Sequence, residues 1–188
     1  MAETKKARER RLKEGFFKKY IDGKKVIDIG VGRFDTWDGA DAISPDCEGW
    51  DKDNGNAEYM EGVADETYDT VYNSHLLEHL HQPELAIHNW MRILKKKGHL
   101  IIAVPHRDLY ERKKTLPSNW NSDHKFFILP ETEELPDTRS LKKLIEYGCK
   151  EYKYKIISID VHDSCTNNDK PWEHGNGEYQ IQAIILKK

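Results

Sequence analysis

Cysteine is scarce in this chain: Cys47, Cys149 and Cys165 are the three thiols among 188 residues. They are too few and too scattered for a disulfide framework or a thiolate zinc set. A long apolar run is also missing. No 18 consecutive residues are apolar, which leaves no candidate for a membrane-spanning helix. The charged N-terminus has no apolar h-region, so it does not read as a secretory signal. Together these absences predict a cytoplasmic protein with no membrane partner. Repeats and low-complexity blocks are missing too. What is present is a polar surface around a modest core: 37% of residues are hydrophobic and 34% charged. The length suits a single domain over residues 1–188, large enough to bury a core without metal or disulfide staples.

Net charge is a mere −3, but it is unevenly spread. Residues 1–25 carry ten Lys or Arg against four Asp or Glu, a net of +6, which leaves −9 on the rest. Such a segment could touch nucleic acid. The simpler reading is a charge-rich helix that solvates one face and docks the other, with no nucleic-acid partner.

The spacing of Leu12, Phe16 and Tyr20, with Phe17 and Ile21 beside them, predicts one N-terminal helix over 4–21, ended by Asp22-Gly23. Residues 25–30 read as a strand followed by a glycine loop. Residues 40–44 form a weaker strand candidate, and 68–74 another strand. Pro83 at the first helical position, Glu84 in the first turn and Gly98 at the end predict a helix over 83–95. A buried strand follows at 99–104. Residues 107–137 lack clean periodicity and read as an insertion on the substrate side. A helix at 139–147 and strands at 154–161 and 179–186 close the chain. The alternation of strand and helix predicts an α/β fold with a parallel sheet. The last two strands have no helix between them and must pair antiparallel. Ligands of such sheets bind beyond the carboxyl ends of the strands, here after Gly30, Ser74 and Val104.

The first chemical motif is Val26-Ile27-Asp28-Ile29-Gly30-Val31-Gly32. Glycines at a strand end let a ligand approach the backbone. The third glycine of a dinucleotide fingerprint is missing, which argues against a nicotinamide cofactor. Asp28 inside an apolar strand is costly unless it meets amides or a cation, and beside the loop it favours a positively charged ligand. The second motif is Gly55-Asn56-Ala57-Glu58, followed by Tyr68 through Ser74 and His75-Leu76-Leu77-Glu78-His79-Leu80.

Over residues 25–106 these motifs resemble the class I S-adenosylmethionine-dependent methyltransferases, in particular the small type 11 domains. The resemblance implies a Rossmann-like, seven-stranded, mostly parallel sheet with a C-terminal antiparallel pair and helices on both faces. It implies S-adenosyl-L-methionine as cofactor. Asp28, Gly30 and Gly32 would frame the methionine part, and Asn56 and Ala57 the adenine. Asp46 or Asp51 would hold the ribose, with Asp41 and Asp53 as further candidates. Asn73, Ser74 and His75 would line the cofactor. Methyl transfer to a small-molecule or saccharide hydroxyl is the expected activity. The other reading is a non-catalytic cofactor-binding subunit that serves a partner through its basic N-terminal helix.

A hydroxyl acceptor must lose a proton, and a neutral His suits that near pH 7. His124 in the insertion, His106 at its start, and His79, are the candidates. Asp108 or Asp123 could orient the base, and Tyr110, Trp120 and Phe126 offer flat acceptor surfaces. His75-x-x-Glu78-His79 also matches the inverted zinc-peptidase motif. That motif needs a long helix and a third ligand. Pro83 starts a new helix four residues on, so neither that reading nor a metal assisting methyl transfer is preferred, and no metal is expected.

Overall fold

A computed structural model describes residues 2–31, 42–163 and 177–188. Gly32, Asp41 and Cys165 lie outside the described residues. So does the first part of the strand expected at 40–44.

Two N-terminal helices stand where one was expected, α1 (Ala2–Lys13) and α2 (Phe16–Tyr20). Gly15 breaks them, with φ at 69° in the left-handed region that glycine tolerates. The break rotates the apolar stripe. Phe16, Tyr20 and Ile21 are buried, while Leu12, expected to share their face, is 59% exposed.

The strands are β1 (Val26–Ile29), β2 (Glu48–Trp50), β3 (Tyr68–Ser74), β4 (Leu94–Pro105), β5 (Phe127–Leu129), β6 (Thr138–Ser140), β7 (Tyr154–Asp163) and β8 (Tyr179–Lys187). Between them lie α3 (Pro83–Ile93) and α4 (Leu141–Gly148). The main sheet runs β2-β1-β3-β4-β8-β7. Pairs β1–β2, β1–β3 and β3–β4 are parallel. β8 inserts antiparallel between β4 and β7, as the missing crossover requires. The main sheet thus has six strands among the described residues, not seven, and β5–β6 form a separate parallel pair. The second strand is Glu48–Trp50; residues 42–44 precede it and are not strand.

α3 also stops earlier than its periodicity suggests. Leu94 is already extended, at φ −79° and ψ 133°, and its side chain is fully buried in the core. Lys187 Nζ, from β8, donates to the Met91 and Leu94 carbonyls at 2.9 and 2.6 Å, which satisfies acceptors at the helix end. Gly98 therefore lies inside β4, where a Cβ would stand 2.8 Å from the Asp69 carbonyl oxygen. The helix expected at 139–147 starts two residues later, capped by Ser140 Oγ accepting from Lys143 N–H.

Each face of the sheet carries its own apolar layer. Ile27, Ile29, Val71, Leu100, Ile102, Val104, Ala183 and Ile185 face α3 and α4, led by the fully buried Trp90. Val26, Tyr72, Ile101 and Ile184 face Phe16 and Tyr20 of α2. Burying a large side chain of this kind contributes about 1.5–3 kcal/mol, so both layers hold the strands in register. The carboxyl ends of β1, β2, β3 and β4 consequently open on one edge. Among the described residues no helix is long and apolar enough to cross a membrane.

Candidate active site

At the end of β1, Gly30 has φ 81°, and a Cβ there would meet Leu76 at 3.0 Å. Its N–H donates to the Trp50 carbonyl at 2.8 Å, which joins the ends of β1 and β2. Glycine is required by this turn and this contact. The same contact seats the segment after β3 against the glycine loop. Asp28 is buried two residues earlier in β1, where burial pushes its carboxyl up to about 7. A hydrogen bond from Ile43 N–H at 2.8 Å and the Arg11 guanidinium act in the other direction without overcoming burial.

The two ribose candidates separate in space. Asp51 directly follows β2, whose last residue pairs with Ile29, so it stands beside Gly30 at the carboxyl edge of the sheet. Asp46 precedes β2. It lines a recess with Asp22, Lys24 and Val26 at the opposite end of β1. The expectation that Asp46 follows a strand fails because the strand lies later. Asp53 is exposed in the turn after Asp51. Asn56 Oδ1 accepts from Glu58 N–H at 2.8 Å, so this oxygen already caps a turn. The Ala57 carbonyl accepts from Trp90 Nε1 at 2.9 Å. Asn73 is fully buried, and its Oδ1 has no hydrogen-bond partner. Ser74 ends β3 and His75 follows it, both half-buried, with His75 at φ 53°.

Beyond β3 the chain makes a single 3₁₀ turn, Leu77–His79. Lys125 N–H donates to the Glu78 carbonyl at 2.8 Å and ties the insertion to this turn. The result is a cluster that local spacing did not reveal. Glu78 Oε1 lies 3.9 Å from His79 Nε2 and 4.0 Å from His124 Nε2. The rings of His79 and His124 meet edge to face, with centroids 4.8 Å apart. His75 Nδ1 is 3.8 Å from the same carboxylate oxygen. His124 Nδ1 bonds to Glu111 Oε1 at 2.5 Å, and Glu111 Oε2 accepts from Ser118 Oγ at 2.5 Å. Burial lowers the His124 pKa, but the Glu111 hydrogen bond and the Glu78 charge together raise it.

Of the two carboxylates expected to orient a histidine, one does so. Asp123 faces His79, at 3.2 Å from Nδ1, and not its sequence neighbour His124. Glu111, which sequence reasoning missed, is the partner of His124. Its signal was available in the turn Arg107–Glu111, but which His it meets depends on the path of the insertion. Asp108 pairs with Arg107. His106 does not join the cluster. Its Nδ1 accepts from Asp108 N–H and caps that turn, while burial lowers its pKa. Tyr110 lies 6.1 Å from the His124 ring, and Trp120, within the insertion, is 36% exposed. Phe126 is core, not acceptor surface. The metal-free expectation rested on the scattered cysteines and on the short context of the His75–His79 motif; neither feature reveals that His124 comes beside Glu78 and His79. Glu78, His79 and His124 form a group able to hold a metal ion.

The basic helix α1 docks on the sheet. Arg11 is buried, donating to Tyr72 Oη and Gln182 Oε1 at 2.8 and 2.9 Å, and Arg10 pairs with Glu178 at 2.8 Å.

The family profile described as a methyltransferase domain matches residues 1–146. Among solved structures, an S-adenosylmethionine-dependent methyltransferase of Archaeoglobus fulgidus is 17% identical and has a TM-score of 0.58. The match covers 98% of this chain and 94% of that one. A Listeria monocytogenes protein described as an S-adenosylmethionine-dependent methyltransferase is 14% identical at a TM-score of 0.59, over 97% of this chain and 99% of that one. One from Thermotoga maritima is 20% identical at a TM-score of 0.51, over 96% and 97%. These likenesses show the fold. A comparison with curated proteins finds no match.

Proposed function

The chain belongs to the methyltransferase-domain family, as a class I S-adenosylmethionine-dependent member, and from that premise we propose that it methylates a hydroxyl group of a small molecule or glycan. The observation that carries this reading is the meeting of Glu78, His79 and His124 beyond β3, on a segment whose Leu76 rests against Gly30. The glycine loop and the histidine cluster are thus parts of one edge.

The residues present suit the donor. Gly30 turns the chain at the end of β1 with Leu76 packed against it, Asp51 stands at the end of β2, and the unpartnered Asn73 Oδ1 offers a buried acceptor. Gly30, Asp51, Asn73 and Ser74 would hold it, with Asn56 and Ala57 below the adenine. When bound, the sulfonium supplies a methyl group that an oxygen nucleophile can take as its proton leaves. The chain's own contribution is placement, which can account for several kcal/mol of the barrier. His79 and His124 form the acceptor-side pole. Each is held by a carboxylate at Nδ1, which leaves Nε2 turned toward Glu78 and the acceptor. Tyr110, whose ring lies 6.1 Å from that of His124, gives that pole a flat apolar surface suited to a sugar ring, and Trp120 would add a second.

A role as a non-catalytic donor-binding subunit leaves this cluster without a use. Its expected interface, the basic α1, already contributes Arg10 and Arg11 to the fold. The test is to incubate the protein and donor with a panel of hydroxyl, amine and thiol acceptors and to measure S-adenosylhomocysteine. Release with a hydroxyl or sugar acceptor, and a methyl ether in the product, is the expected result. Transfer confined to amines or thiols would replace the proposal.

A further inference from the structure

Glu78 presents an electrostatic problem. Its side chain is 1% exposed, and neither carboxylate oxygen has a hydrogen-bond partner. Leaving an ionised carboxylate in that state costs several kcal/mol, so such groups are normally paired, protonated or bound to a metal. The surroundings supply nitrogen ligands. His79 Nε2 and His124 Nε2 converge on Glu78 Oε1, and the three ligand atoms lie within 4.8 Å of one another.

The far side of each ring gives a second, independent indication. Asp123 holds His79 at Nδ1 and Glu111 holds His124 at Nδ1. Histidines that ligate metals typically carry such a carboxylate on the other nitrogen, which fixes the tautomer and strengthens the ligand. Two rings set in this way, aimed at one orphaned carboxylate, are more than a chance acidic cluster.

We propose that Glu78, His79 and His124 bind one divalent first-row transition-metal ion. Two imidazoles and one carboxylate on one side of an ion leave its other positions open to an acceptor oxygen or water. Ligands about 2.1 Å from a common ion stand roughly 3.0–3.5 Å apart. The separations of 3.9 and 4.0 Å need to close by about 0.4–1.0 Å, within reach of side-chain rotations. His75, with Nδ1 3.8 Å from Glu78 Oε1, is placed to add a further ligand. The use of the ion rests on the hydroxyl reading above: it would lower the pKa of a bound hydroxyl so that the proton leaves to water. Binding of the ion does not depend on that reading.

The test uses untagged full-length protein, stripped with a chelator and titrated with Co²⁺. One equivalent should produce a visible d–d absorption band, and calorimetry with Mn²⁺ or Zn²⁺ should show the same single site. Glu78→Gln and His124→Asn should each abolish the band. Asp123→Asn changes an exposed residue and should leave the fold intact, yet weaken binding by about 10–100-fold. Absence of a band in folded wild type, or equal affinity in wild type, Glu78→Gln and Asp123→Asn, would overturn the site. A bound ion in a protein that methylates no hydroxyl would uphold the site and reject the activity assigned above.

Discussion

Glu111 meets His124 at 2.5 Å inside the insertion, and this contact aims the opposite ring nitrogen at Glu78. The acceptor pole proposed above would be built from this pair and its counterpart, Asp123 with His79.

His124→Ala should lower turnover with the true acceptor by about 10²–10⁴ while donor affinity stays nearly constant. Glu111→Gln keeps the shape but removes the charge and should lower turnover less, by about 10–100-fold. Steady-state kinetics beside donor calorimetry reads both quantities. Unchanged turnover in His124→Ala would remove the histidine from the acceptor side.

Asp51 and Asp46 make opposite predictions. Asp51→Ala should weaken donor binding by about 10–100-fold, the effect of losing a hydrogen bond to a charged acceptor. Asp46→Ala, at the other end of β1, should leave it unchanged. Calorimetry showing the reverse order would move the ribose to the other side of β2.

Gly30→Ala forces a side chain into φ 81° and against Leu76. The left-handed conformation alone costs about 1–2 kcal/mol. Each 1 kcal/mol is about 2–4 °C for a domain of this size, so the melting temperature should fall by about 2–8 °C or more. Donor binding should weaken with it. A melt within 1 °C of wild type would mean that Leu76 gives way at no cost.

Asp28 predicts a pH dependence of stability. Its carboxyl is raised to about 7 in the folded chain, against a usual value of 3.8. The folded state therefore holds a proton that the unfolded state has lost, and stability decreases as pH rises between these two values. Asp28→Asn removes the effect. The stability advantage of the Asn variant should grow between about pH 4 and pH 7, to on the order of 2–4 kcal/mol, and stay level above. Denaturant melts across that range check it. A pH-independent difference would place the ionised carboxylate comfortably beside Arg11.

The local pattern of the chain determined much of this protein by itself. Val26–Ile29, Tyr68–Ser74 and the last two strands are apolar runs of strand length bounded by turn residues, and a strand needs little more than that to be recognised. The absence of a helix before β8 dictated its antiparallel pairing, and the Gly30 turn was legible as glycine after an apolar strand. Tertiary structure decided the rest. Glu48–Trp50 has no periodicity to read and becomes a strand because β1 offers it backbone partners. α3 stops at Ile93 because Leu94 is worth more in the core and Lys187, from the far end of the chain, takes the helix-end carbonyls. The site is of this second kind. His79 and Asp123 are 44 positions apart, and the partners in the cluster are chosen by the path of the insertion across the ends of β3 and β4. Sequence proposes ionisable side chains, but their charge, orientation and ligands follow from which of them burial forces together.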